Sequence, residues 1–141
     1  MKKILLFLGI MVILLIGCDS VDYAMKLYVK ENTDRIEILI YQKTQEKGRQ
    51  ALLVTSFSDS TNIKRLLDFI TRKKTPFYKC GYTGSIVYLG GANSYVVQKM
   101  DFNTQLGCEH IVFTYKDELH SRHLTDEGIA FLDSLYQKYK N

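Results

Sequence analysis

The sequence has no apolar run long enough to cross a bilayer, a single proline, and three cysteines in 141 residues. Each scarcity excludes something. A hydrocarbon core of about 30 Å needs around 20 apolar residues as helix, and the longest run here, Ile4 to Ile16, is stopped by Cys18, Asp19, Ser20 and Asp22. The three cysteines, Cys18, Cys80 and Cys108, lack the paired Cys or His spacing that zinc sites use. A formal charge of +4, from 19 basic and 15 acidic residues, is too small and too mixed for the electrostatic footprint of a nucleic-acid binder. No internal repeat, low-complexity tract or linker divides the chain, so one domain is expected. Catalytic signatures are missing as well. Thr83-Gly84-Ser85-Ile86-Val87 lacks the second glycine of a nucleophile elbow. Gly81-Tyr82-Thr83-Gly84 and Gly90-Gly91 lack the strand-to-helix setting of a phosphate loop and read as turns.

What the N-terminus does contain is a targeting pattern. Lys2 and Lys3 form a basic n-region, and Ile4 to Ile16 an h-region within the roughly 7 to 15 residues expected of a signal peptide. The run has no polar face, unlike a core helix. It ends in Leu15-Ile16-Gly17-Cys18, which resembles the lipobox of bacterial lipoproteins. The resemblance implies cleavage before Cys18, a diacylglycerol on its sulfur and an acyl chain on its amine. More than one acyl chain makes the anchor firm, at about 0.8 kcal/mol per buried methylene. Asp19 resembles the residue that retains enterobacterial lipoproteins in the inner membrane, but other bacterial groups read this position differently, so inner and outer membrane both stay open. Removal of residues 1–17 would leave 124 residues and take away two basic groups and no acidic one, for a formal charge of +2. Most of the basicity is then a targeting feature.

With Cys18 spent on lipid, an oxidising compartment makes a Cys80–Cys108 disulfide the expectation. Closing that loop would contribute about 3.5 kcal/mol in the chain-entropy picture.

Along the chain, residues 19–34 are weakly patterned and their state is left open, although Tyr23 to Val29 has apolar character. Ile36, Ile38 and Ile40 alternate with Glu37, Leu39 and Tyr41, which reads as a strand. Lys43 to Gln50, with Gly48, should turn the chain, and Ala51 to Phe57 return it as an antiparallel partner. Ser58 to Thr61 offers N-caps for a helix carrying Ile63, Leu66, Leu67 and Ile70, which is expected to close on Arg72-Lys73-Lys74 before Pro76. Phe77 to Gly84 is a loop. Ser85–Leu89 and Tyr95–Met100 flank Gly90 to Ser94 as a hairpin, and Cys108 to Tyr115 follows as a strand. Leu119 to Leu124 is a candidate for a short last strand. Thr125 then caps a helix with Ile129, Leu132, Leu135, Tyr136 and Tyr139 on its apolar stripe, and Leu124 and Ile129 at hydrophobic-staple positions. Antiparallel hairpins with two amphipathic helices give a two-layer α+β fold, mainly antiparallel, helices on one face. The expected organisation is a signal peptide at 1–17, a lipidated cysteine and N-terminal segment at 18–34, and a single α+β domain at 35–141.

Candidate chemistry reduces to three groups. His110, His120 and His123, with Glu109 and Glu118, have metal-binding side chains. However, His120 and His123 stand three apart in an expected strand and would point to opposite faces, so neither a metal nor another cofactor is expected. Tyr78, Tyr82, Tyr88 and Tyr95 lie in or beside glycine-rich loops, where rigid rings suit sugar or protein contacts but also serve as ordinary strand and loop anchors. Arg72, Lys73, Lys74, Phe77, Tyr78 and Lys79 interleave four cations with two rings beside Cys80. They form a candidate surface for an anionic headgroup, an acidic envelope polymer or an acidic protein. The plainer reading is that the cations complement a helix C-terminus. The expectation is an envelope lipoprotein, held to a membrane through Cys18 with its domain outside the cytoplasm, acting as a non-catalytic binding, inhibitor-like or interaction module without nucleic-acid partners. The alternatives are a structural part of an envelope assembly, and a small hydrolase or metal-dependent enzyme using His110, His120 and His123.

Overall fold

A computed structural model describes residues 20–44 and 48–141. Cys18, the signal-like stretch and the tip of the first hairpin at 45–47 lie outside the described residues. In chain order the elements are α1 (Ser20–Asn32), β1 (Arg35–Thr44), β2 (Gly48–Phe57), α2 (Ser60–Asp68), β3 (Ile70–Lys74), β4 (Gly84–Gly90), β5 (Tyr95–Asn103), β6 (His110–Tyr115), β7 (Glu118–Leu124) and α3 (Asp126–Tyr139). The strands form one seven-stranded sheet in the order β2-β1-β4-β5-β6-β7-β3, antiparallel at every junction. This is an α+β fold.

The alternation in β1 places the sheet. Ile36, Ile38 and Ile40 are fully buried, and the register carries their face across the strands: Ile36 opposite Tyr88, Ile38 opposite Ile86, Ile86 opposite Met100, Met100 opposite Phe113. The helices lay Met25 and Val29 of α1, Ile63, Leu66 and Leu67 of α2, and Leu132 of α3 into the same cluster. Each such side chain contributes about 1.5–3 kcal/mol when fully buried. Where β1, β4 and β5 meet, a Cβ on Gly84 would stand 2.3 Å from the Leu39 carbonyl oxygen and 2.6 Å from Phe102 Cζ. Only glycine lets the Phe102 ring lie there.

The caps expected from sequence form. Asp59 Oδ1 accepts from the Asn62 N–H at 2.8 Å, and Thr125 Oγ1 from the Gly128 N–H at 3.0 Å, satisfying free donors of the first turns. The β6–β7 turn is made by Lys116 and Asp117, with φ of 51° and 62°, as a tight hairpin requires.

One stretch that the sequence left open is placed, and one differs from expectation. Residues 20–32 are helix, and Met25 and Val29, four apart, are both fully buried, so the folded unit begins before residue 35. The second helix stops at Asp68 and does not run on through Ile70 to Arg72-Lys73-Lys74. Phe69 caps it, and Ile70 to Lys74 is an edge strand with Ile70 opposite Leu124 and Lys74 opposite Arg122. Thr125 N–H donates to the Phe69 carbonyl at 2.8 Å, and Thr71 Oγ1 to the His123 carbonyl at 2.7 Å. Non-local pairing outweighs the local preference of the cations for a helix end.

Residues 75–83 then run over the face of the sheet away from the core cluster. Thr75 N–H donates to the Ser121 carbonyl at 3.2 Å, the Tyr78 ring meets His110 edge-on at 5.0 Å, and Asn103 Nδ2 donates to the Gly81 carbonyl at 2.9 Å. Ser121, Val112 and His110 are buried on strands that this segment crosses.

Candidate functional site

Of the six residues singled out in the basic segment, five face outward. Arg72, Lys73 and Lys74 are exposed along the edge strand, Lys79 is exposed beyond it, and the Phe77 ring is 57% exposed. Tyr78 is half-buried against His110 and fastens the loop. No helix ends at these cations, so their complementing a helix C-terminus is ruled out. Lysines on an open edge have another structural use, since they discourage pairing with a foreign strand. Directly after the segment, Cys80 and Cys108 are at disulfide distance, with Cα atoms 6.4 Å apart. The cross-link ties the cationic loop to the β5–β6 connection, where the Cys108 N–H donates to the Gln105 carbonyl at 2.8 Å. A loop held this way loses little entropy on meeting a partner.

The same rim receives the first turn of α1. Arg122 Nε donates to both carboxylate oxygens of Asp22 at 3.0 Å, Nη2 stands 2.9 Å from Oδ1, and Nη1 donates to the Ser121 carbonyl at 3.1 Å. The side chains are 6% and 12% exposed. Arg122 lies opposite Lys74 in the β3–β7 register, which brings the first turn of α1 beside the edge strand. One helical turn on, Lys26 Nζ donates to the Ile70 carbonyl at 2.7 Å. Burial pulls the Lys26 ammonium below its ordinary value, against the raising influence of Asp68 and Asp22.

The histidines are dispersed. His110 is buried, with Nδ1 2.6 Å from the Cys108 carbonyl oxygen. His120 stacks on Phe113 with centroids 5.4 Å apart. His123 Nδ1 lies 2.6 Å from the Leu124 carbonyl oxygen. His120 shares the phase of Arg122 along β7 and His123 does not, as the strand period requires. Among the described residues no group of three His, Cys, Asp or Glu side chains is placed to hold a metal. Of the four loop tyrosines, Tyr88 is fully buried, Tyr95 is 52% exposed, and Tyr78 and Tyr82 are half-buried.

A polar cluster that sequence reasoning missed occupies the middle of the face away from the core. The Tyr41 hydroxyl donates to Asp101 Oδ1 at 2.9 Å and lies 3.1 Å from Ser85 Oγ, and Lys99 Nζ is 3.2 Å from Asp101. Burial opposes the charge on Lys99, but pairing with Tyr41 and Asp101 outweighs it and lifts the ammonium above its ordinary value. Burial, with Asp101 and Tyr41 nearby, likewise raises the Tyr82 phenol. Beside the cluster a cleft of about 180 Å³ is lined by Tyr41, Cys80, Tyr82, Thr83, Asn103, Gln105 and Tyr136. The only sequence trace is the polar phase of alternation at Tyr41, Ser85 and Asp101, which becomes a cluster once Leu39 is set opposite Ser85 and Ser85 opposite Asp101. A lysine held charged and a carboxylate spent on two partners suit hydrogen bonding to a ligand better than proton transfer. Comparison of the chain with protein-family models, with curated proteins and with solved structures finds no match.

Proposed function

We propose that the protein is a bacterial envelope lipoprotein, tethered through an acylated Cys18, whose α+β domain works outside the cytoplasm as a binding or interaction module rather than as a catalyst. The observation that carries this reading is the junction between signal and fold. Leu15-Ile16-Gly17-Cys18 closes a basic and apolar leader pattern, and only four positions after Cys18 the chain is already held to the sheet by the Asp22–Arg122 pair. An acylated Cys18 would therefore hold the domain close to the membrane. Cys80 and Cys108 at disulfide distance fit an oxidising compartment. The cationic rim and the tyrosine cleft are surfaces that bind without a reacting group. Metabolic labelling with a radioactive fatty acid tests the reading: the wild-type chain should carry label, and Cys18→Ser should carry none and accumulate as precursor. Label retained by Cys18→Ser would refute it.

A further inference from the structure

The Asp22 end of α1 and the edge strand that carries Arg72, Lys73 and Lys74 lie at one side of the sheet. Cys18 precedes Asp22 by four residues, which span at most about 14 Å. Asp22 is bound to Arg122 on β7, and β3 is the neighbouring strand, about 4.8 Å farther out. Resting on the acylation of Cys18, we propose that this rim lies on the membrane itself. Lys73 and Lys74 would contact the anionic headgroups of the bilayer that holds the anchor, and Phe77 would insert at the headgroup boundary.

Charge complementarity is the first support. No Asp or Glu occurs between Asp68 and Asp101, so the strand and loop carry cations alone. Asp22 in the first turn of α1 is engaged by Arg122, and Asp68 at the end of α2 by Lys64. Basic residues close to a membrane surface are drawn to anionic lipid over a Debye length of about 10 Å. The second support is Phe77, a large ring left more than half exposed beside exposed Pro76. An apolar ring flanked by cations suits the boundary between headgroups and acyl chains. The third is rigidity, since the disulfide and the Tyr78–His110 contact hold the loop in place before it meets a surface. Seated this way, the domain turns β2, six strand positions away or roughly 29 Å, toward solvent.

The chain contains no tryptophan, so one introduced indole reports its own depth. The processed, acylated protein would be reconstituted as Phe77→Trp, and separately as Leu53→Trp on the far edge strand, where Leu53 is 50% exposed. The vesicles contain brominated acyl chains, with phosphatidylcholine alone or with added phosphatidylglycerol. The expected result is a blue shift and bromine quenching of the Phe77→Trp indole in anionic vesicles, lost at high salt and in the added Lys73→Glu/Lys74→Glu background. Leu53→Trp should stay unquenched throughout. Anchored protein with an unquenched Phe77→Trp indole in both lipids overturns the orientation while leaving the anchor standing. Equal quenching at both positions overturns it too, since that is collapse onto the bilayer without a preferred rim. Protein that fails to float with either vesicle overturns the anchor, and the orientation with it.

Discussion

Asp22→Ala should be among the most damaging single changes in the domain, although Asp22 lies in the first turn of α1. The carboxylate accepts from Arg122 at 3.0, 3.0 and 2.9 Å, and the pair is nearly removed from solvent. Without it, the guanidinium keeps, among the described residues, the Ser121 carbonyl at 3.1 Å. Removing one partner of a buried pair costs about 3–5 kcal/mol, because the remaining charge stays desolvated. The lower end, about 3 kcal/mol, is expected here, since α1 can lift its first turn and admit water. For a domain of this size that is a fall in Tm on the order of 10 °C. The exposed pair Lys64–Asp68 on α2 is the internal yardstick, with side chains 64% and 55% exposed, and Lys64→Ala should cost only about 0.3–0.5 kcal/mol. Urea unfolding followed by circular dichroism measures both. The double variant Asp22→Leu/Arg122→Met should recover most of the loss, because an apolar pair of similar volume carries no desolvation penalty. If Asp22→Ala unfolds no earlier than Lys64→Ala, the ion pair does not hold α1 to the sheet and the placement of the N-terminal helix is refuted.

Further outcomes follow from other positions. Tyr88 is fully buried and its hydroxyl has no hydrogen-bond partner among the described residues, so Tyr88→Phe should raise stability at neutral pH by about 1 kcal/mol in the same urea assay. Burial also raises the Tyr88 phenol above its ordinary value of 10.0. The unfolded chain then loses that proton first, and wild-type stability should hold below pH 10 and fall as pH rises past it. Tyr88→Phe should show a shallower alkaline decline. Gly84→Ala should cost 3 kcal/mol or more, roughly the scale of forced overpacking, because its Cβ would meet backbone 2.3 Å away. Thermal melts that superimpose on wild type would contradict the β1-β4-β5 packing. Alkylation of the denatured, unreduced protein should modify neither Cys80 nor Cys108, and full modification of both would exclude their pairing.

Much of the fold is legible in the chain because its signals are local. β1 announces itself by Ile36, Ile38 and Ile40, the β4–β5 hairpin by Gly90 and Gly91, and α2 and α3 by the caps Asp59 and Thr125. What escaped depends on distant partners. α1 buries only Met25 and Val29 completely, too few positions to show a helical stripe. β3 ends in three cations that imitate a helix terminus, and only its pairing with Leu124 and Arg122, some 50 residues later, makes it a strand. The same holds for the candidate surfaces. The cations of the basic segment could be named from sequence, but that Tyr78 turns inward while Phe77 stays out is decided by His110. Tyr41, Ser85 and Asp101 come from three strands, and nothing in any one of them foretells the cluster.

Mass spectrometry of the N-terminal peptide of the membrane-extracted protein tests the central claim most directly. The account predicts that the chain starts at Cys18, carries a diacylglyceryl thioether and an acylated amine, and retains no residue of 1–17. A chain that starts at Met1, or one cut elsewhere with an unmodified Cys18, would contradict it.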